Sequence, residues 1–193
     1  MTTDPVILTT KFVKESFKKF PHFSFNDGRI MSNHSIRVKN IALKISKKLN
    51  CDKVLLAVAA LLHDIGKTKK APETTLHYNH EDYNYEQAED LIKVLNLTLK
   101  QKEKLKNIIL HKSRGIEQKI IKDADALALF ADKKLYTLYI TWAIKNNLSR
   151  SISRKLTKFS KLNFDISKKI GKPLYVKMKK DWQKYLKHYP QVN

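Results

Sequence analysis

The chain of 193 residues holds a single cysteine, Cys51, which excludes an internal disulfide and a zinc site built on clustered thiolates. Glycine and proline are scarce, four and five residues, too few for the dense turns of an all-β fold or for a disordered chain. The longest apolar run, Val54 to Leu62, is nine residues, less than half of the roughly 20 that a membrane-spanning helix needs. No membrane partner is therefore expected. The opening MTTDPVILTTKF has an early acid and no basic stretch leading into an apolar one, so it does not read as a signal peptide, and the cytoplasm is the expected location.

Arginine is also rare. Only Arg29, Arg37, Arg114, Arg150 and Arg154 stand among the 39 basic residues, and with 18 acids the formal charge is +21. Proteins that grip nucleic acid lean more heavily on arginine, so the charge alone names no partner. It is concentrated, however: residues 145–193 carry fourteen basic and two acidic side chains, a field that attracts polyanions in general. Tyr175, Trp182, Tyr185 and Tyr189 lie among those lysines, and nucleic-acid binding through this region is one reading of them. Trp182, Tyr185 and Tyr189 also recur at helical spacing, which favours burial against a core.

What the chain does have is helical periodicity nearly throughout, with no stretch that alternates convincingly as a strand. The pattern predicts an all-α, single-domain helical bundle over residues 1–193. A short basic amphipathic piece at 11–20 precedes the loop FPHFSFNDGRIMSN. Helices are expected at about 33–49, from a cap at Asp52 to a stop at Gly66, and at about 82–95 after a polar loop over 67–81. Others are expected from Thr98 to His111 and at about 117–132, 134–147, 151–170 and 174–188, with Gly171 as a stop between the last two.

One run poses a chemical question. The apolar segment VLLAVAALL can only lie in a core, yet it ends in His63-Asp64, within HDIGK. His34 shares a helical face with Val38, Ile41, Ala42 and Ile45, and Asp125 shares one with Ile121, Ala124 and Ala128. Singly, each has an ordinary explanation as a hydrogen-bonded core residue. Together they would bury two carboxylates, which is costly unless a cation offsets them. Two imidazoles and two carboxylates suit a divalent ion (Mn, Fe, Co, Ni, Mg or Zn), one or two per chain. Such an ion brings the pKa of a coordinated water toward neutrality, which makes a hydrolytic centre.

His34, then His63-Asp64 in HDIGK, then Asp125 in DADAL resembles the HD-domain superfamily of metal-dependent phosphohydrolases, whose pattern is H…HD…D on a helical bundle. The resemblance covers about residues 30–132 as a metal-binding core, leaving about 133–193 as a basic helical extension. It implies that His34, His63, Asp64 and Asp125 hold the metal, with Asp125 rather than Asp123 reaching it. It also implies that His80 and His111 bind a second ion or the substrate, with Asp64 as the bridge. Asp64 would orient or deprotonate the attacking water, and Lys67 would neutralise phosphate oxygen, with Arg114 and Arg37 as further phosphate contacts. His77 reads as an exposed loop residue, and His22 and His188 have no supporting context. The implied activity is hydrolysis of a phosphate ester or anhydride bond in an anionic phosphorylated small molecule, a nucleotide or a relative of one. The alternative is a basic nucleic-acid-binding helical protein whose metal site is structural or vestigial.

Overall fold

The computed structural model describes residues 4–20, 22 and 27–187. His188 and Tyr189 lie outside the described residues. Among the described residues all regular structure is helical, as the periodicity predicts, and no helix is long and apolar enough to cross a membrane. The chain divides into two compact units, Met1–Ile121 and Lys122–Asn193.

In the first unit, α1 (Pro5–Lys19) starts on Asp4, whose carboxylate accepts from the Val6 N–H at 2.6 Å, with Pro5 at the first helical position where no N–H is needed. It turns Thr9, Val13 and Phe17 inward. Next comes α2 (Arg29–Ile45), which enters tightly: a Cβ on Gly28 would stand 2.0 Å from the Phe17 carbonyl oxygen, so no other residue fits there. Helix α3 (Lys53–Leu62) is capped by Asp52, which accepts from the Leu55 N–H at 2.9 Å and from the Gln101 amide at 2.7 Å. Every residue of α3 from Leu55 to Leu62 is buried, and the helix packs against α1, α2 and α5 (Leu99–Ile109). Each buried leucine or valine contributes about 1.5–3 kcal/mol, so the end of α3 is one of the most firmly held points in this unit. A single 3-10 turn, Ile65–Thr68, then meets both α1 and α4 (Glu73–Val94).

The polar loop expected over 67–81 is therefore mostly helix. Its sequence, ETTLHYNHEDYN, lacks an apolar stripe because the inward positions Leu76, His80, Asn84, Ala88 and Ile92, spaced by four, include two polar residues. His77 and His80 are thus helical, and His77 is half-buried rather than an exposed loop residue.

Helix α6 (Ile116–Ala131) gives its first residues to this unit and the rest to the second. The second unit continues with α7 (Lys133–Lys145), α8 (Ser149–Leu156), a 3-10 turn at Phe159–Lys161 and α9 (Asp165–Leu186). The expected helix over 151–170 is thus broken at 157–164, and Gly171 is not a stop. It lies inside α9, where a Cβ would come within 2.6 Å of Leu127 Cδ2, so glycine serves close packing there rather than termination. Trp182 is fully buried and donates its indole N–H to the Tyr136 carbonyl at 3.1 Å. Tyr175 stacks on Phe159 at 5.0 Å and donates its hydroxyl to the Leu156 carbonyl. Neither is an exposed platform for stacking bases. The Tyr136 hydroxyl donates to Asp181, and burial together with that carboxylate pushes the phenol pKa upward.

Candidate metal centre

The apolar α3 delivers its polar end with little freedom. His63 keeps helical dihedrals (φ −57°, ψ −24°), and its Nδ1–H donates to the Ala60 carbonyl at 2.8 Å. That bond fixes the ring and leaves the Nε2 lone pair outward, the arrangement common to metal-binding histidines. At Asp64 the backbone leaves the helix (φ −119°, ψ 7°), and the 3-10 turn that follows begins.

Asp64 is the hub. Its Oδ2 lies 3.5 Å from His63 Nε2, 3.8 Å from His34 Nε2 and 2.5 Å from Lys67 Nζ. Its Oδ1 lies 2.9 Å from His80 Nε2, and His80 is itself oriented by its Nδ1, 3.0 Å from the Leu76 carbonyl. His34, His63 and Asp64 are each buried, and the two imidazole centroids are 5.5 Å apart. Burial alone would raise the Asp64 pKa, but the Lys67 ammonium, joined by His63 and His80 when they are protonated, outweighs it and holds the carboxyl well below its ordinary value. The chemistry of this donor set, imidazole nitrogens and an ionised carboxylate oxygen brought together by buried side chains, fits a divalent transition ion.

The other expected residues are placed as follows. His111 closes α5 in the left-handed region (φ 56°), and its Nδ1 lies 3.0 Å from Glu81 Oε1, so it meets α4 one residue beyond His80 rather than at Asp64 itself. The His111 contact lowers the Glu81 pKa against the opposing effect of burial. Arg37 is half-buried on α2 one turn after His34, and Arg114 is exposed between α5 and α6. In the second unit Asp125 is half-buried and pairs with Lys158. Its neighbour in DADAL, Asp123, is fully occupied: it accepts from the Asn163 N–H at 2.9 and 3.0 Å, the Asn163 amide at 2.7 Å and the Phe164 N–H at 3.1 Å.

Asn84 and Glu81 carry no signal in the sequence, and His22, which has no supporting context there, also belongs to this neighbourhood. Asn84, fully buried on α4, accepts the Gly66 N–H at 2.7 Å and donates to the carbonyls of His63 and Ile109 at 2.7 and 2.8 Å. Glu81 follows His80 directly, a placement that becomes legible only once the segment is known to be helical. His22 is buried within electrostatic reach of Lys67, Asp64, His80 and His77, and burial first, then the Lys67 charge, lowers its pKa to about 2. It stands in a segment without helical periodicity, which left no signal for it.

A family model described as HD domain matches residues 31–129, a span that takes in His34, His63, Asp64 and Asp125. The chain belongs to the HD domain family. Solved structures agree with the fold of this HD protein. One is an HD-superfamily hydrolase from Bacillus thuringiensis, 18% identical, with 96% of each chain covered and a TM-score of 0.64. YpgQ of Bacillus subtilis in complex with ADP is 20% identical, with 97% of this chain and 96% of that one covered and a TM-score of 0.65. A predicted HD-superfamily hydrolase from an uncultured Thermotogales bacterium is 20% identical over 94% and 91%, with a TM-score of 0.60. No match is found among curated proteins.

Proposed function

We propose that this HD protein is a metal-dependent phosphohydrolase that cleaves a phosphate ester or anhydride bond in a nucleotide or related phosphometabolite, in the cytoplasm. The observation that carries the reading is the ionised, buried Asp64 carboxylate, with His63 and His34 near one oxygen, His80 at the other and Lys67 alongside. The complex of the Bacillus subtilis neighbour with ADP favours a nucleotide as the substrate class.

His34, His63, Asp64 and Asp125 are the residues that would hold the ion. The full engagement of Asp123 by Asn163 and Phe164, against the ion pair to Lys158 at Asp125, supports Asp125 as the ligand from DADAL. When bound, a divalent ion supplies Lewis-acid polarisation and a nucleophilic water at neutral pH. Asp64, ionised throughout the physiological range, accepts a hydrogen bond from the attacking water and orients it. Lys67 brings a positive charge to the phosphoryl oxygens as negative charge develops on them. The division of Asp64 between His80 on one oxygen and His63 and His34 on the other favours a second cation, or the substrate, on the His80 side, with His111 beyond it. Arg37 and Arg114 are further phosphate contacts in this reading.

The test is turnover of a panel of nucleotides and phosphodiesters by purified protein with manganese, cobalt or magnesium added in turn. Metal-dependent release of phosphate or of a nucleoside product is expected. No turnover with any ion, in protein shown to be folded and to bind the ion, would remove the hydrolase assignment.

A further inference from the structure

The turn that carries His63, Asp64 and Lys67 is tied to the rest of the first unit by one side chain that is neither a ligand nor a substrate contact. Asn84 uses its whole amide on it. The oxygen accepts the Gly66 N–H at 2.7 Å, and the nitrogen donates one hydrogen to the His63 carbonyl at 2.7 Å and the other to the Ile109 carbonyl at 2.8 Å. A backbone N–H on one side and two carbonyls on the other fix which way the amide faces. The three partners belong to the end of α3, the following 3-10 turn and the end of α5, while Asn84 itself lies one turn after His80 on α4. The same place is held by shape: a Cβ on Gly66 would stand 2.0 Å from the His80 carbonyl oxygen.

We infer that Asn84 is the positioning residue of the metal centre, holding the His63-Asp64 turn against the His80 helix so that the site is formed before an ion arrives. This rests on the metal-site reading above and adds a residue to it. A carboxylate in the same place could still accept from Gly66 but could not donate to two carbonyls, so Asn84→Asp keeps the shape and removes the function. Groups that orient ligands from behind are typically worth about 10–100-fold in metal affinity.

The experiment compares Asn84→Asp, Asn84→Ser and Asn84→Ala with the parent protein. Manganese affinity is measured by competition with a chromogenic chelator, the visible spectrum is recorded for the cobalt-loaded forms, and melting of the metal-free forms is followed in parallel. Manganese affinity at least tenfold weaker and an altered cobalt spectrum are expected in the variants that remain folded. Parent-like affinity and spectrum in Asn84→Asp would overturn the inference, even if its melting point drops. Should all three variants fail to fold, the metal-free parent decides it by amide exchange: a slowly exchanging Gly66 N–H supports a preformed turn, and a rapidly exchanging one overturns it. If the parent binds no ion and His63→Ala changes nothing, the metal-site reading fails and takes this inference with it. Normal binding by the parent, with no effect at Asn84, sinks the positioning role alone.

Discussion

Lys67 Nζ stands 2.5 Å from Asp64 Oδ2, three residues along the chain and with both side chains nearly excluded from water. The ammonium occupies the same oxygen that His63 and His34 approach, so an ion bound there would compete with Lys67 for it. In the proposed mechanism, an ion that displaces the ammonium from Asp64 would let it turn to a substrate phosphate. Lys67→Ala should therefore retain manganese while kcat falls about 100-fold, the scale seen when one charge-stabilising donor is removed. Elemental analysis beside steady-state kinetics checks this, and loss of the ion would mean that Lys67 organises the ligands instead.

The two aspartates of DADAL should separate cleanly. Asp123 anchors Asn163 and Phe164 through four hydrogen bonds and is almost fully buried. Removing it leaves those donors unsatisfied, at about 1.5–3 kcal/mol for bonds to a charged group. Asp123→Ala is expected to lower the melting temperature and leave metal content intact in the folded fraction. Asp125→Ala is expected to do the reverse, losing metal and turnover while melting near the parent temperature. An exchange of these two phenotypes would reassign the ligand to Asp123.

His111 permits an unusual control because of its left-handed backbone (φ 56°). A side chain held there stores about 1 kcal/mol that glycine does not. His111→Gly should thus remove the imidazole and its contact with Glu81 without loss of thermal stability. Metal content at saturation is expected to fall by one equivalent. Unchanged content with a raised KM would assign His111 to the substrate instead.

The metal-free protein should lose stability as the solution is acidified, in part through His22. This residue titrates near 2 in the fold and near 6.5 when unfolded. Between those values the unfolded chain binds the extra proton, so the stabilisation is complete above pH 6.5 and declines below it, by up to about 1.4 kcal/mol per pH unit. His22→Gln, neutral at every pH, should flatten the dependence of melting temperature on pH between 6.5 and 4.5. Equal slopes for the two proteins in the presence of a chelator would refute this.

The helical class and the Asp64 hub were legible because α3 is apolar on all sides and then ends abruptly in two polar residues. A break of that kind survives in a one-dimensional string. Helix α4 was half-legible: its inner stripe uses His80 and Asn84 where an ordinary helix uses aliphatic residues, so the polar residues that face the His63-Asp64 turn erased the element's apolar signal. Glu81 and Asn84 were lost with it. Gly171 misled for the opposite reason, since a glycine that admits Leu127 looks the same in sequence as one that ends a helix.

The backbone-to-backbone approach at Gly66 sets the register of α4 on the His63-Asp64 turn, with Lys69 pairing to Glu86 and Pro72 capping the helix, and the two residues Lys70 and Ala71 between them make no such tie among the contacts described. That short connection can consequently be lengthened or reshaped while the spacing of His63, Asp64 and His80 stays as it is. A designer wishing to alter the surface beside the proposed metal centre would graft new segments there, and would leave Gly66 untouched.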